Sequence, residues 1–205
     1  MKIGIISGSH RVDSQSAKIA GWIERSLSDR GLCDETWLYS LAGNPLPFWD
    51  EGVFEGTEAW EEIMGPLRDA LNSCDAFVIV SPEWHGMAPA GLKNFFLLWP
   101  GSGELAHKPA LLVSVSASQN GAYPIAELRM SSYKNSRICY LPEHVIVRKA
   151  AQCFNADPAD NDPEHHEYLA GRMGYCLDML REYGLAFQQI RASGKVSLEN
   201  YPNGM

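Results

Sequence analysis

Several features that would assign a chain to a large class are scarce in these 205 residues. Cysteines number five, at 33, 74, 139, 153 and 176, too widely spaced to supply a zinc ligand pair and odd in count for a disulfide framework. That usage suits a reducing compartment. Each thiol reads as packed rather than nucleophilic, with Cys139 and Cys176 inside apolar-patterned segments. Long hydrophobic runs are missing too; the longest, such as 76–80, fall far short of a bilayer's thickness. Met1-Lys2 leads straight into Ile3-Gly4-Ile5-Ile6 without the apolar segment and cleavage site of a secretory signal, so the expectation is a cytoplasmic protein. Basic excess is absent, with 17 Lys and Arg against 25 Asp and Glu and a net charge of −8, which argues against nucleic acid or a membrane as partner. There is no internal repeat and no low-complexity linker, and the expectation is a single domain over residues 1–205.

What is present is an alternation of strand-like and helix-like patterns. Residues 2–7 form a short β-rich run, followed by a Ser/Gly loop and a helix over 15–30 whose Ile19, Ile23 and Leu27 share one face. A second strand fits 35–39, and Pro45, Pro47, Gly52 and Gly56 make 43–56 a loop. Trp60, Ile63, Met64, Leu67 and Leu71 have helical spacing, with Pro66 expected to kink or split that helix. The apolar runs 75–81 and 110–115 read as strands buried on both faces. Pro89 suits the first position of a helix reaching Leu98, a further helix is predicted over 123–136, and 145–147 supplies a fifth strand. Asp162-Pro163-Glu164 carries cap, first-turn proline and first-turn acid for a last helix running to about Ile190, with Leu169, Cys176, Leu180, Tyr183 and Phe187 on its buried side. Strands separated by helices require parallel pairing, so the chain is α/β with helices on both faces. Ligands of such sheets bind beyond the carboxyl ends of the strands, which directs attention to the loops after strands one, three and four.

The first of these loops, Gly8-Ser9-His10-Arg11-Val12-Asp13-Ser14-Gln15-Ser16, runs directly into a helix. It is neither G-x-G-x-x-G nor G-x-x-x-x-G-K-[ST], which disfavours a dinucleotide pyrophosphate or a triphosphate. Three serine hydroxyls, the Arg11 guanidinium and the free N–H groups of a helix start match one phosphate; simple capping by Ser14 or Ser16 is the plainer alternative. A hydrolase built on Ser9 lacks the G-x-S-x-G elbow and any nameable partner.

The second loop reads Ser81-Pro82-Glu83-Trp84-His85-Gly86-Met87-Ala88-Pro89-Ala90-Gly91-Leu92-Lys93-Asn94. With the first it resembles the NADPH-dependent FMN reductases among flavodoxin-like proteins, whose pattern is approximately G-S-x-R-x-x-S followed after the third strand by P-E-Y-N-x-x-x-P-x-x-L-K-N. Gly8, Ser9, Arg11 and Ser14 match the first half; Pro82, Glu83, Pro89, Leu92, Lys93 and Asn94 match the second. Trp84 and His85 replace the usual tyrosine and asparagine, so only backbone contacts carry over there.

The resemblance implies a flavodoxin-like three-layer sandwich with a five-stranded parallel sheet of order 2-1-3-4-5. It also implies bound FMN, NADPH or NADH as cosubstrate, a small-molecule electron acceptor, and a homodimer or homotetramer. Its site would comprise Ser9, Arg11, Ser14, Gln15 and Ser16 at the phosphate. Pro82, Glu83, Trp84, His85 and Gly86 would lie beside the ring, and Ser116, Ser118, Gln119 and Gly121 of the third loop at its pyrimidine side. No catalytic side chain and no metal is called for, since the flavin carries the chemistry. Trp84 is open between lying against the ring and forming a subunit contact. His85 is open between proton transfer and none, and Glu83 with His85 lacks a third metal ligand. Glu127-Leu128-Arg129 is similar to the family's Q-L-R, with a structural or interface role for Arg129, and the segment 45–50 to its proline-rich loop. Lys93 and Asn94 are read as orienting their helix and loop, and His165-His166 as solvated helix-start residues. The alternative function is a flavodoxin-type electron carrier without enzymatic turnover.

Overall fold

A computed structural model describes residues 1–99, 101 and 103–204. In chain order its elements are β1 (Lys2–Ser7), α1 (Gln15–Asp29), β2 (Glu35–Ser40), α2 (Gly52–Glu55), α3 (Glu58–Ser73), β3 (Ala76–Pro82), α4 (Ala90–Leu97), β4 (Pro109–Val115), α5 (Ala122–Ser131), β5 (Cys139–Val147) and α6 (Pro163–Ala192). The five strands form one parallel sheet of order β2-β1-β3-β4-β5, the flavodoxin-like arrangement.

Alternation along the central strands sorts side chains between two cores. Ile3, Ile5, Val78, Val80, Leu111 and Val113 pack with Ile19, Ile23 and Leu27 of α1 and with Leu169, Met173, Cys176 and Leu180 of α6. Ile6, Phe77, Ile79 and Leu112 pack on the other side with Met64 and Leu71 of α3, Leu92 and Phe95 of α4, and Ile125 and Leu128 of α5. Every residue of β3 and β4 is buried, and each large apolar side chain so placed contributes roughly 1.5–3 kcal/mol. With both faces covered, only the strand ends remain for a ligand.

Several boundaries differ from the sequence reading, each for a local reason. Pro66 does not split α3; it and Glu62, whose carbonyl loses its helical N–H partner there, both lie on the exposed side of the helix, where solvent can take the place of that donor. The loop 43–56 contains the one-turn α2, closed by Gly56 at φ 62°. Pro89 caps α4 rather than opening it, with an extended ψ of 142°. α5 ends at Ser131, five residues early, because Ser131 and Ser132 turn their hydroxyls back on the carbonyls of Glu127 and Leu128. β5 begins at Cys139, six residues before the apolar triplet; Pro142 sits in a bulge of this edge strand, where a missing N–H costs little. α6 starts as expected with Asp162 accepting the N–H of His165 and Pro163 in its first turn. Tyr183 is exposed and Phe187 only half-buried, the two rings stacking 6.3 Å apart, while the adjacent Gly184 is the residue that packs on the sheet, beside Met1 and Ala76.

Candidate functional site

The carboxyl ends of β1, β3 and β4 converge, and hydrogen bonds tie their loops into one shelf. Gly8 N–H donates to Val80 O (2.8 Å), Glu83 N–H to Val115 O (2.9 Å), and Ser116 N–H to Val147 O (2.9 Å), so each loop starts from its neighbour's strand end. Ser9 is buried, and its Oγ accepts the N–H of Arg11 (3.3 Å). Ser14 is the N-cap of α1, accepting the N–H of Ala17 (3.1 Å). A hydroxyl that accepts keeps its own proton to donate, so capping and anion binding are compatible roles for Ser14. Arg11 and Gln15 are exposed, and among the described residues Arg11 makes no ion pair. Ser16 is buried on the inner face of α1 with Ile19 and Ile23, in position to offer its backbone N–H rather than an open hydroxyl.

The second loop is a tight turn. Trp84 N–H donates to Met87 O (3.1 Å) and Met87 N–H to Trp84 O (3.0 Å), while His85 (φ 52°) and Gly86 (φ 73°) both occupy the left-handed region. Two positive φ values at the central positions define a type I′ turn. Histidine tolerates that conformation better than most residues, as asparagine does, so backbone geometry accounts for His85 standing where the family has asparagine. The turn consumes the N–H groups of Trp84 and Met87, and among the described residues those of His85 and Gly86 meet no backbone acceptor. The Trp84 ring meets His10 edge-on at 4.6 Å, pinning the second loop to the first.

Pro82 closes β3 and is buried. Glu83 points sideways, its Oε2 accepting the N–H of Gly121 (2.5 Å), so it joins the second loop to the third. Gly121 itself has φ 116°, and a Cβ there would lie 2.4 Å from Ile146 Cγ2. Only glycine fits. In the third loop Ser116 is buried and accepts the N–H of Ser118 (3.2 Å), while Ser118 and Gln119 are exposed.

Supports that sequence reading missed surround this shelf. Lys149 N–H donates to Ser118 O (2.9 Å) and Arg148 Nε to Gln119 O (2.6 Å), so the residues after β5 brace the third loop. Their place after a strand at the same rim was the available signal. Asn94 binds the proline-rich loop on both sides, donating to Pro47 O (2.8 Å) and accepting from Trp49 N–H (2.9 Å). Lys93 pairs with Glu127 (2.9 Å), whose other oxygen accepts the N–H of Ala88 (2.8 Å). Partial burial pushes the Glu127 carboxyl up, but Lys93 and that N–H outweigh it and hold the pKa below the usual carboxylate value. Arg129 donates to the carbonyls of Leu141, Pro142 and Glu143, gripping the β5 bulge, which is a structural role. His165 Nε2 lies 2.8 Å from Arg148 O and His166 Nδ1 accepts the N–H of Phe154 (3.2 Å). Both histidines are half-buried and engaged by backbone, which corrects their reading as solvated. Burial raises the pKa of all five thiols, Cys74 to about 11, as suits packed groups.

The shelf is open rather than enclosed. Distinct clefts lie elsewhere, one between Trp60, Met64, Arg68 and Trp99, another beside Phe96, Leu97 and Ser132. A flat ring lying across backbone needs matched edges more than a cavity, so donor chemistry locates the site better than depth. Hydroxyl protons, a helix start and an unpaired guanidinium at one end, with unused turn N–H groups at the other, fit a monophosphorylated planar ligand.

A parallel sheet of this order with a ligand shelf at the β1, β3 and β4 ends defines a flavodoxin-like α/β protein. Structural comparison gives the same class. The NAD(P)H:acceptor flavoenzyme of Paracoccus denitrificans superposes with a TM-score of 0.70 at 18% identity, over 91% of this chain and 98% of that one. The apo form of an NADH:FMN oxidoreductase gives 0.63 at 18% identity, with 88% of each chain covered. Residues 1–152 match the NADPH-dependent FMN reductase family, and the chain belongs to it. Among curated relatives, a quinone reductase of Pseudomonas putida is 28% identical over 124 residues, 59% of this chain and 63% of that protein. An NAD(P)H-dependent FMN reductase of Saccharomyces cerevisiae is 29% identical over 136 residues, 56% of this chain and 64% of that protein. The matched part is thus less than two thirds of either relative's length.

Proposed function

We propose that this chain, read as one flavodoxin-like domain over residues 1–205, is an FMN-dependent NAD(P)H oxidoreductase. Its second substrate is a small-molecule acceptor: a quinone, an azo compound, free flavin or a metal oxyanion. The observation that carries this reading is the union of a one-phosphate donor set at Ser9–Arg11–Ser14 with a tight backbone turn at Trp84–Met87 on one shelf.

When bound, FMN supplies the hydride and electron transfer. The chain's residues do the rest. Arg11, the Ser9 and Ser14 hydroxyls and the N–H groups of Gln15 and Ser16 hold the phosphate, aided by the dipole of α1. His85 and Gly86 present backbone N–H groups to the ring's edge, and Pro82 and Trp84 border it. Ser116, Ser118, Gln119 and Gly121 form the polar wall on the pyrimidine side, where N–H groups favour negative charge. Glu83 acts through Gly121, keeping the second and third loops in register. No side chain is required as acid or base. The same reading takes the protein to be cytoplasmic and a homodimer or homotetramer. Among the described residues no helix is long and apolar enough to cross a membrane.

The visible spectrum and FMN titration of the purified protein, followed by NAD(P)H oxidation with a quinone or azo dye, test the proposal. Arg11→Ala should weaken FMN about 30-fold while leaving stability within about 0.5 kcal/mol, because a charge-assisted phosphate contact is lost and no protein contact is. Wild-type protein without FMN affinity overturns the reading. FMN bound but not reduced by NAD(P)H in stopped flow transfers it to the electron-carrier alternative.

A further inference from the structure

Lys18 lies in the first turn of α1, directly behind the phosphate loop, and its side chain leaves that loop altogether. Its Nζ donates to Ala150 O (2.7 Å), Cys153 O (2.8 Å) and Asn155 Oδ1 (2.7 Å), three oxygens of the connection between β5 and α6. That satisfies all three donors of an ammonium group. Burial lowers the Lys18 pKa from the ordinary lysine value, and three converging acceptors are the arrangement that favours its protonated form.

The same connection grips the third loop. Ala150 N–H donates to Ser116 O (3.1 Å) and Lys149 N–H to Ser118 O (2.9 Å). At its other end Lys18 is bound to the phosphate loop, its backbone N–H donating to Ser14 O (3.2 Å). A continuous path of hydrogen bonds therefore runs Ser14–Lys18–Ala150–Ser116, from the phosphate end of the shelf to the ring end, beneath the strands' tips. The acceptors are themselves fixed. Asn155 donates through Nδ2 to Ala151 O (2.9 Å) and Asp160 O (2.8 Å), and its N–H bonds Asn161 Oδ1 (2.9 Å).

We propose that Lys18 is a positioning residue that sets the spacing between the phosphate loop and the third loop, so that a flavin monophosphate spans both at once. This rests on the FMN reading above and adds a residue to it. The physical reason is preorganisation: a ligand that touches both loops gains from their fixed separation, whereas a ligand touching one does not. FMN is of the first kind. Lumiflavin, which has the ring alone, and inorganic phosphate are of the second.

The test is equilibrium binding of FMN, lumiflavin and inorganic phosphate to the full-length protein and to Lys18→Met, which keeps much of the stem's bulk and removes the ammonium. The expected result is a loss of about tenfold for FMN, with lumiflavin and phosphate unchanged within about twofold, the size expected for losing hydrogen bonds from a charged donor. A general structural defect would weaken all three ligands together, and that outcome overturns the proposal. So does an unchanged FMN constant. Asn155→Ala, which removes one of three acceptors, should show the same selectivity at about threefold, and it decides the matter if Lys18→Met does not fold. Wild-type protein that fails to bind FMN removes the underlying reading as well; wild-type binding with an indifferent Lys18→Met removes this proposal alone.

Discussion

At the amino ends of the strands, Asp75 accepts Lys2 N–H (3.0 Å) and Arg191 Nη2 (2.8 Å), and Arg191 also reaches His107 O (3.0 Å). Beside them Lys108, only 5% exposed, donates to Leu71 O (2.8 Å) and Asn72 O (3.3 Å) at the end of α3, where a cation suits the helix dipole. At the carboxyl ends Arg11 has no carboxylate among the described residues, the helix start of α1 faces outward, and two consecutive residues hold positive φ. One rim spends its polar groups on itself and thereby docks α6 and α3 to the sheet. The other leaves donors unspent. The contrast teaches where ligand binding is affordable: stability is secured at one end so that the opposite end can stay incomplete.

Substitutions that separate the rims sharpen this contrast. Asp75→Ala should cost about 3 kcal/mol in denaturant unfolding, because it strands a partly buried Arg191, yet leave FMN affinity intact. A parallel loss of flavin would mean that the ends are coupled. Lys108 gives a pH signature of about 1 kcal/mol. Burial depresses its pKa from 10.5 to about 8, so above pH 8 the unfolded chain holds this proton more firmly than the folded one, and stability rises with pH. Neighbouring Cys74, raised by burial from 9.0 to about 11, acts in the opposite sense above pH 9, and the Met1 amino group, raised from 8.0 by its hydrogen bond to Asp34, does so above pH 8, so the Lys108 contribution is read over pH 8–9 as the difference from a variant lacking it. In thermal unfolding across that interval, the stability of wild type relative to Lys108→Met should increase with pH. The smallest effect belongs to His85→Gly, expected to gain about 0.5 kcal/mol by relieving a left-handed side chain. Turnover between pH 6 and 8 should keep its wild-type profile. A missing ionisation limb in the variant would instead give His85 a proton-transfer role.

Buried strands and the caps of α1 and α6 were legible because each rests on a local signal: an apolar run, a serine before a helical period, an Asp-Pro pair; strand order, which no local signal carries, came only through the family resemblance. The three loops were legible by position and motif. What stayed hidden was how they are held. Glu83 reaching Gly121, Asn94 reaching Pro47 and Trp49, and Lys18 reaching Ala150 are contacts between residues distant in sequence, for which one chain offers no periodicity. Boundaries failed where a polar side chain or a proline competed with the period. Ser131 and Ser132 shortened α5, Pro142 disguised β5, and Pro66 was harmless only because its neighbourhood faces water.

Asn94 has one more effect. By holding the backbone on either side of Phe48, it leaves that ring 79% exposed at the tip of a doubly anchored loop. An aromatic group displayed on a stiff bracket forfeits little conformational freedom when something settles over it. The prominence of Phe48 is thus a consequence of firm moorings, not of slack chain.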